Sequence, residues 1–276
     1  MEQIILKGKP VADKYREAIS KKIAAAKEQG RKTELAILVV GDDPASHIYK
    51  DRLVKLVESL GGKAKPILLP KETSQEEVLQ TIRRLNRNRF VTGIMPMMPM
   101  PKPISSEAVG GAIAASKDVD CLNATNNGDV YAGRSPWAPC TPRSCMAILE
   151  HYNIPLQGKK VVVVGRSNIV GKPVAHLLLQ KNATVTICHS KTADLTAELK
   201  QADVIVAAVG VPNFVKAEQV KEGVVIVDVG INATEQGLVG DVDAAAYAKA
   251  SAYTPVPGGV GVVSNMMLME ALTRNL

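Results

Sequence analysis

Aromatic side chains are scarce in this chain: one Trp, two Phe and six Tyr make 3% of 276 residues. Aliphatic residues and methionine must therefore fill the core, and little remains for stacking against nucleic-acid bases. No apolar run approaches the roughly 20 residues that span a bilayer, so no membrane partner is expected. The four cysteines, Cys121, Cys140, Cys145 and Cys188, lack the close pairing of a zinc site. No metal is expected, and the thiols are expected free and mostly structural. Met1 to Lys9 lacks the form of a secretory signal, which points to a cytoplasmic protein with reduced cysteines.

What is present suits one large or two modest globular domains: 46% hydrophobic and 22% charged residues. The net charge of +7 owes much to Lys14, Arg16, Lys21, Lys22, Lys27, Arg31 and Lys32. These are spread over a helical segment as a solvated face, not clustered in a nucleic-acid motif. The same balance favours anionic small ligands such as a phosphorylated cofactor.

One stretch organises the chain, Val161-Val-Val-Val-Gly-Arg-Ser-Asn-Ile-Val-Gly-Lys-Pro173. Four valines read as a strand buried on both faces of a parallel sheet. The glycine ends it, and a turn of small and polar residues opens a helix through Val174, Ala175, Leu177, Leu178 and Leu179. Strand, turn and helix start form a dinucleotide cradle in which backbone N–H groups face a pyrophosphate. The usual Gly-x-Gly-x-x-Gly is changed in its second glycine and its spacing, so an ordinary βα turn stands as the alternative.

Helical patterns cover Val11 to Gln29, about Ala45 to Leu60, and Gln75 to Asn86; strands are expected at Leu35–Val40, Lys63–Leu69 and Val91–Met95. That alternation makes the first half α/β with a mainly parallel sheet. Asp118 to Pro142 reads as a long irregular connection, followed by a helix around Arg143 to Tyr152. Strands at Val161–Val164, Thr184–Ile187, Val204–Val209 and Val224–Val229 then set the rhythm of a Rossmann-type doubly wound sheet. The loop Thr254 to Gly261 precedes an amphipathic helix from about Asn265 to Thr273. NAD-specific folds of this kind place a carboxylate at the end of the second strand. Here that strand ends Thr186-Ile-Cys-His-Ser-Lys191, where His189, Ser190 and Lys191, with Arg166, suit a 2′-phosphate; NADP is favoured over NAD.

Seven stretches in order resemble the methylenetetrahydrofolate dehydrogenase/methenyltetrahydrofolate cyclohydrolases of the FolD type. They are Val40–Ser46 with Tyr49, Lys117–Asp120, Pro139–Pro142, Val164–Pro173, Cys188–Thr192, Asp228–Asn232 and Thr254–Gly261. The resemblance implies two α/β domains, a catalytic folate domain (1–140 plus 262–276) and an NADP domain (141–261), with the last helix packing back on the first. It also implies a homodimer, with tetrahydrofolate derivatives bound in a cleft between the domains. By motif match, Tyr49 and Asp120 are the catalytic and folate-binding residues. Pro257, Gly258, Gly259 and Val260 border the folate, and Gly165, Arg166, Ser167, Ser190 and Ile231 contact NADP.

The chain departs from that pattern twice. Bifunctional members have Tyr-x-x-x-Lys, whereas this chain has Tyr49-Lys-Asp-Arg-Leu53. They also have a glutamine in a Val-Gln-Leu-Pro-Leu-Pro-like segment, a position that aligns with Met97. Hydride transfer requires mainly the positioning of two ligands, but cyclohydrolysis requires proton transfers that Leu53 cannot perform. Arg52 shares the Tyr49 face and stays protonated, while Lys50, Lys55 and His47 point elsewhere. The expectation is an NADP-dependent dehydrogenase with weak or lost cyclohydrolase. The alternatives are a fully bifunctional enzyme and a silent NADP/folate-binding module.

Overall fold

The computed structural model describes residues 3–135, 137–235 and 237–276. Met1, at the start of the segment read for a signal, and Pro136, within the stretch read as irregular, lie outside the described residues. The chain divides into two compact units, Lys14–Ala138 with Asn265–Leu276, and Met1–Asp13 with Pro139–Ser264.

The chain begins with β1 (Ile4–Ile5), α1 (Gly8–Glu28), β2 (Glu34–Val40), α2 (Pro44–Ser59), β3 (Lys63–Leu69), α3 (Gln75–Arg87) and β4 (Gly93–Pro96). Two short helices follow, α4 (Ser106–Ala112) and α5 (Ala124–Tyr131), then α6 (Cys140–His151), β5 (Lys160–Val164), α7 (Gly171–Gln180) and β6 (Thr184–Cys188). The remainder is α8 (Leu195–Gln201), β7 (Val204–Ala207), β8 (Val225–Asp228), the pair β9 (Asn232–Thr234) and β10 (Gly237–Val239), α9 (Ala244–Tyr247), β11 (Ala252–Tyr253) and α10 (Val260–Leu272).

The first unit holds three parallel strands in the order β3-β2-β4. β2 is buried from end to end, as its unbroken apolar run predicts for a central parallel strand. Ala36, Leu38 and Val40 on one of its faces meet Val78, Ile82 and Leu85, the apolar stripe of α3. α3 starts where Ser74 and Glu77 form a capping box. The C-terminal segment packs back into this unit: a side chain at Gly93 would collide with Leu272, and the Arg274 guanidinium lies 5.9 Å from the Trp137 ring centre.

The second unit is a six-stranded parallel sheet, ordered β1-β11-β8-β7-β5-β6. From β5 the chain winds outward to β6, then returns past β5 to β7, β8 and β11. The winding direction reverses between β5 and β7, the switch point of a doubly wound sheet. β1 extends the far edge through Ile4↔Ala252 and Ile5↔Tyr253, which is why the first residues group with this unit.

Several boundaries differ from expectation. The stretch 118–142 carries α5, hidden by its Asn- and Gly-rich composition and nucleated by Asn123, whose side chain accepts from the Thr125 N–H. α6 starts at Cys140, because Pro142 in a first turn has no N–H to satisfy. α10 starts at Val260 and is not amphipathic: Met266, Met267, Leu268 and Met269 are all buried, so no polar stripe exists to set a period. Among the described residues no helix is long and apolar enough to cross a membrane, and no cluster of His, Cys, Asp or Glu is placed to hold a metal ion.

Candidate active site

In the second unit, Val164 pairs in register with Cys188 and Ala207, and Ala207 with Asp228. Parallel pairing therefore delivers the residues after β5, β6 and β8 to one edge of the sheet. Gly165, Arg166 and Ser167 follow β5, Ser190 follows β6, and Ile231, 61% exposed, follows β8. This carboxyl edge, at the switch point, is where doubly wound sheets take their ligands.

The turn itself is built for close approach. Gly165 has φ +119°, and a Cβ there would fall on the Ala208 carbonyl oxygen; a Cβ at Gly171 would fall on the Gly165 carbonyl. Ser167 Oγ accepts from the N–H groups of Val170 (3.1 Å) and Gly171 (3.4 Å), turning the exposed Arg166–Ile169 segment into α7. No acidic side chain sits in the first turn of α7, so its positive end is left for an anion. At the end of β6 the His189 N–H donates to Thr192 Oγ1 (2.8 Å), and His189 Nδ1 accepts from the Lys191 N–H (3.1 Å). Ser190 and Lys191 are left exposed, with no carboxylate between Cys188 and Lys191. The glycines, the open turn and the basic side chains fit a phosphorylated dinucleotide.

Pro257 to Val260 lie in the same unit, at the carboxyl end of β11. Pro257 and Gly258 are exposed and Gly259 and Val260 buried, and the Gly258 carbonyl accepts from the Gly8 N–H at 2.8 Å.

In the first unit the carboxyl ends of β2 and β4 carry the other candidates. Asp43 caps α2, and Tyr49 on its second turn donates from its hydroxyl to Asn265 Oδ1 of α10 at 3.1 Å. Leu53, one turn further, has no exposed surface, and Met97, just past β4, is 4% exposed and tied by its N–H to the Leu38 carbonyl (2.8 Å). Lys50 pairs with the exposed Asp51 (2.6 Å), His47 Nε2 lies 3.1 Å from the Gly41 carbonyl oxygen, and Arg52 and Lys55 are exposed.

Asp120 is half-buried on a segment held from both sides. Lys117 Nζ donates to the carbonyls of Leu85, Asn86 and Asn88 at 3.0, 2.8 and 2.7 Å; burial holds its pKa below the usual lysine range. The buried Asp118 carboxylate accepts from the N–H groups of Leu122 and Asn123 and from Asn126 Nδ2. Cys121, next to Asp120, sits at φ +55°, with its carbonyl accepting from Asn127 Nδ2 (2.7 Å). Sequence reading missed Asn265, Asp118 and the pair Asp228–Asp241. Asp118 and Asp228 fall inside the motifs quoted, but Asn265 and Asp241 carry no local signal.

The tetrahydrofolate dehydrogenase/cyclohydrolase catalytic-domain model matches residues 6–120, and the NAD(P)-binding-domain model of the same family matches residues 139–276. The chain belongs to the tetrahydrofolate dehydrogenase/cyclohydrolase family. The bifunctional protein FolD of Geotalea daltonii is 47% identical over 267 residues, 96% of this chain and 95% of that one. The crystal structure of the bifunctional FolD dehydrogenase/cyclohydrolase of Campylobacter jejuni superposes with a TM-score of 0.96 at 41% identity, covering 99% and 98% of the two chains. That of Trypanosoma brucei FolD, complexed with NADP and an inhibitor, gives 0.92 at 32% identity over 99% and 96%. Family membership identifies the second unit as carrying an NAD(P)-binding domain.

Proposed function

We propose that this chain is an NADP-dependent 5,10-methylenetetrahydrofolate dehydrogenase in which cyclohydrolase activity is weak or lost. The observation that carries the second half is the pair of buried apolar side chains, Leu53 and Met97. NADP, when bound, accepts hydride from the methylene carbon that bridges the two folate nitrogens. Arg166, Ser167 and Ser190 hold its phosphates, and Gly165 gives the backbone its close approach. Asp120 binds the pterin, Tyr49 packs beside the reacting carbon, and Pro257 to Val260 border the folate. The adjacent folate nitrogen supplies the electron push, so these residues need only position the two ligands and exclude water.

Hydrolysis of the methenyl product is different in kind. Water must lose a proton as it adds, and a ring nitrogen must gain one as the ring opens. Leu53 and Met97 can do neither. Lys50 pairs with the exposed Asp51, and a guanidinium such as that of Arg52 is a poor base. Full bifunctionality is the second reading, favoured by the bifunctional relatives at 41–47% identity. We further propose a cytoplasmic homodimer.

Dehydrogenase kinetics test the site assignment. Asp120→Asn is expected to raise KM for methylenetetrahydrofolate about 10- to 100-fold, the range for losing hydrogen bonds to a charged group. Its KM for NADP should stay within about twofold. Tyr49→Phe, which removes the hydroxyl bound to Asn265, is expected to lower kcat about tenfold without moving KM for NADP. NADP should be reduced with a kcat/KM at least about tenfold above that for NAD, since a 2′-phosphate adds charge-assisted bonds. Preference for NAD, or an unaffected Asp120→Asn, would overturn the assignment.

A further inference from the structure

Asp241 lies just beyond β10, outside the motifs quoted above, yet its carboxylate ties together two of the loops at the carboxyl edge. It has no exposed surface. Oδ2 accepts from the N–H groups of Val209 (2.6 Å) and Gly210 (2.9 Å). Oδ1 accepts from the Val211 N–H (3.1 Å) and from Asn232 Nδ2 (2.9 Å). One carboxylate thus gathers three consecutive N–H groups of the loop leaving β7 and the side chain of the residue after Ile231. The Asp241 N–H in turn donates to Asp228 Oδ1 (3.0 Å), and Asp228 also accepts from Gly230, Val242 and the Tyr247 hydroxyl.

The β7 exit loop is the floor of the dinucleotide turn. Its first residue, Ala208, presents the carbonyl against which Gly165 is packed without room for a methyl group. Displacing that loop displaces the turn, and releasing Asn232 releases Ile231. We propose that Asp241 is a positioning residue of the NADP site, setting the β7 and β8 exit loops in mutual register so that Gly165 and Ile231 face the dinucleotide together. The inference rests on the NADP-site reading given above. A carboxylate is required because all four ligating groups are donors. An amide presents one oxygen and one NH2, so it must turn a donor toward either the Val209–Gly210 pair or the Val211–Asn232 pair.

The test is NADP binding measured directly by calorimetry on the full chain, with folate binding measured alongside. Asp241→Asn is expected to raise the NADP Kd at least about tenfold, with the Kd for tetrahydrofolate within about twofold. General unfolding would move both. Should Asp241→Asn fail to fold, Asn232→Ala, at a half-buried position, removes the β8 arm alone and is expected to raise the NADP Kd about threefold or more. An unchanged NADP Kd in either folded variant would overturn the inference. The site reading fails separately, by NADP binding that is indifferent to Arg166→Ala and Ser190→Ala.

Discussion

Leu53→Lys combined with Met97→Gln is expected to raise methenyltetrahydrofolate hydrolysis at least about tenfold above the unsubstituted protein, below the roughly hundredfold lower end for an optimally positioned acid or base. Each single change should fall well short of that. Leu53 has no exposed surface and stands one helical turn from Tyr49. An ammonium placed there loses its water, and desolvation pushes its pKa down, toward the range in which a lysine takes and gives protons near neutrality. Without a polar neighbour the same burial destabilises the fold, because an isolated buried charge costs several kcal/mol. Glutamine at position 97, the other position where the family's polar residue is missing, is included to supply a polar partner. The double variant should therefore gain hydrolysis at the expense of a lower denaturation midpoint, while its dehydrogenase kcat stays within about threefold. Absorbance loss of methenyltetrahydrofolate above its spontaneous rate measures the first effect. No gain in a folded double variant would show that these positions do not limit hydrolysis.

Gly165→Ala is expected to weaken NADP binding on the order of a hundredfold. At φ +119° an L side chain is strained whatever the space around it, and here the space is filled by the Ala208 carbonyl. Either the turn shifts off β7 or β7 shifts with it, and both movements spoil the approach of backbone to pyrophosphate. Folate binding, which the proposed site assigns mainly to Tyr49 and Asp120 of the first unit, should change far less. Calorimetric titration with each ligand separates the two. Undiminished NADP affinity would mean that the dinucleotide does not rest on this turn.

What the sequence made legible follows from where the signal is local. β2 and β5 read as continuous apolar runs because parallel strands are buried on both faces, and α3 announces itself through Ser74 and Glu77. The strand, turn and helix from Val161 to Pro173 could be placed because they are contiguous, while the altered glycine pattern left an ordinary βα turn as the alternative. β1 and β11 are two-residue strands; β1 exists only by pairing with residues nearly 250 positions away, which no window detects. α5 is held by side chains of Asp118 and Asn126 rather than by an apolar stripe. Asp241 reads as an ordinary turn aspartate; its partners at 209–211 become neighbours only when β7 and β8 pair. Leu53 is a further case: inside α2 it looks like any core leucine, and only the family pattern marks the position as chemical.

The most direct test pairs two assays on one preparation of the unsubstituted protein: NADP reduction with 5,10-methylenetetrahydrofolate, and disappearance of 5,10-methenyltetrahydrofolate. Steady NADP reduction with hydrolysis at the spontaneous rate is the predicted result. Hydrolysis that keeps pace with hydride transfer would contradict it, because Leu53 and Met97 would then stand in a working cyclohydrolase.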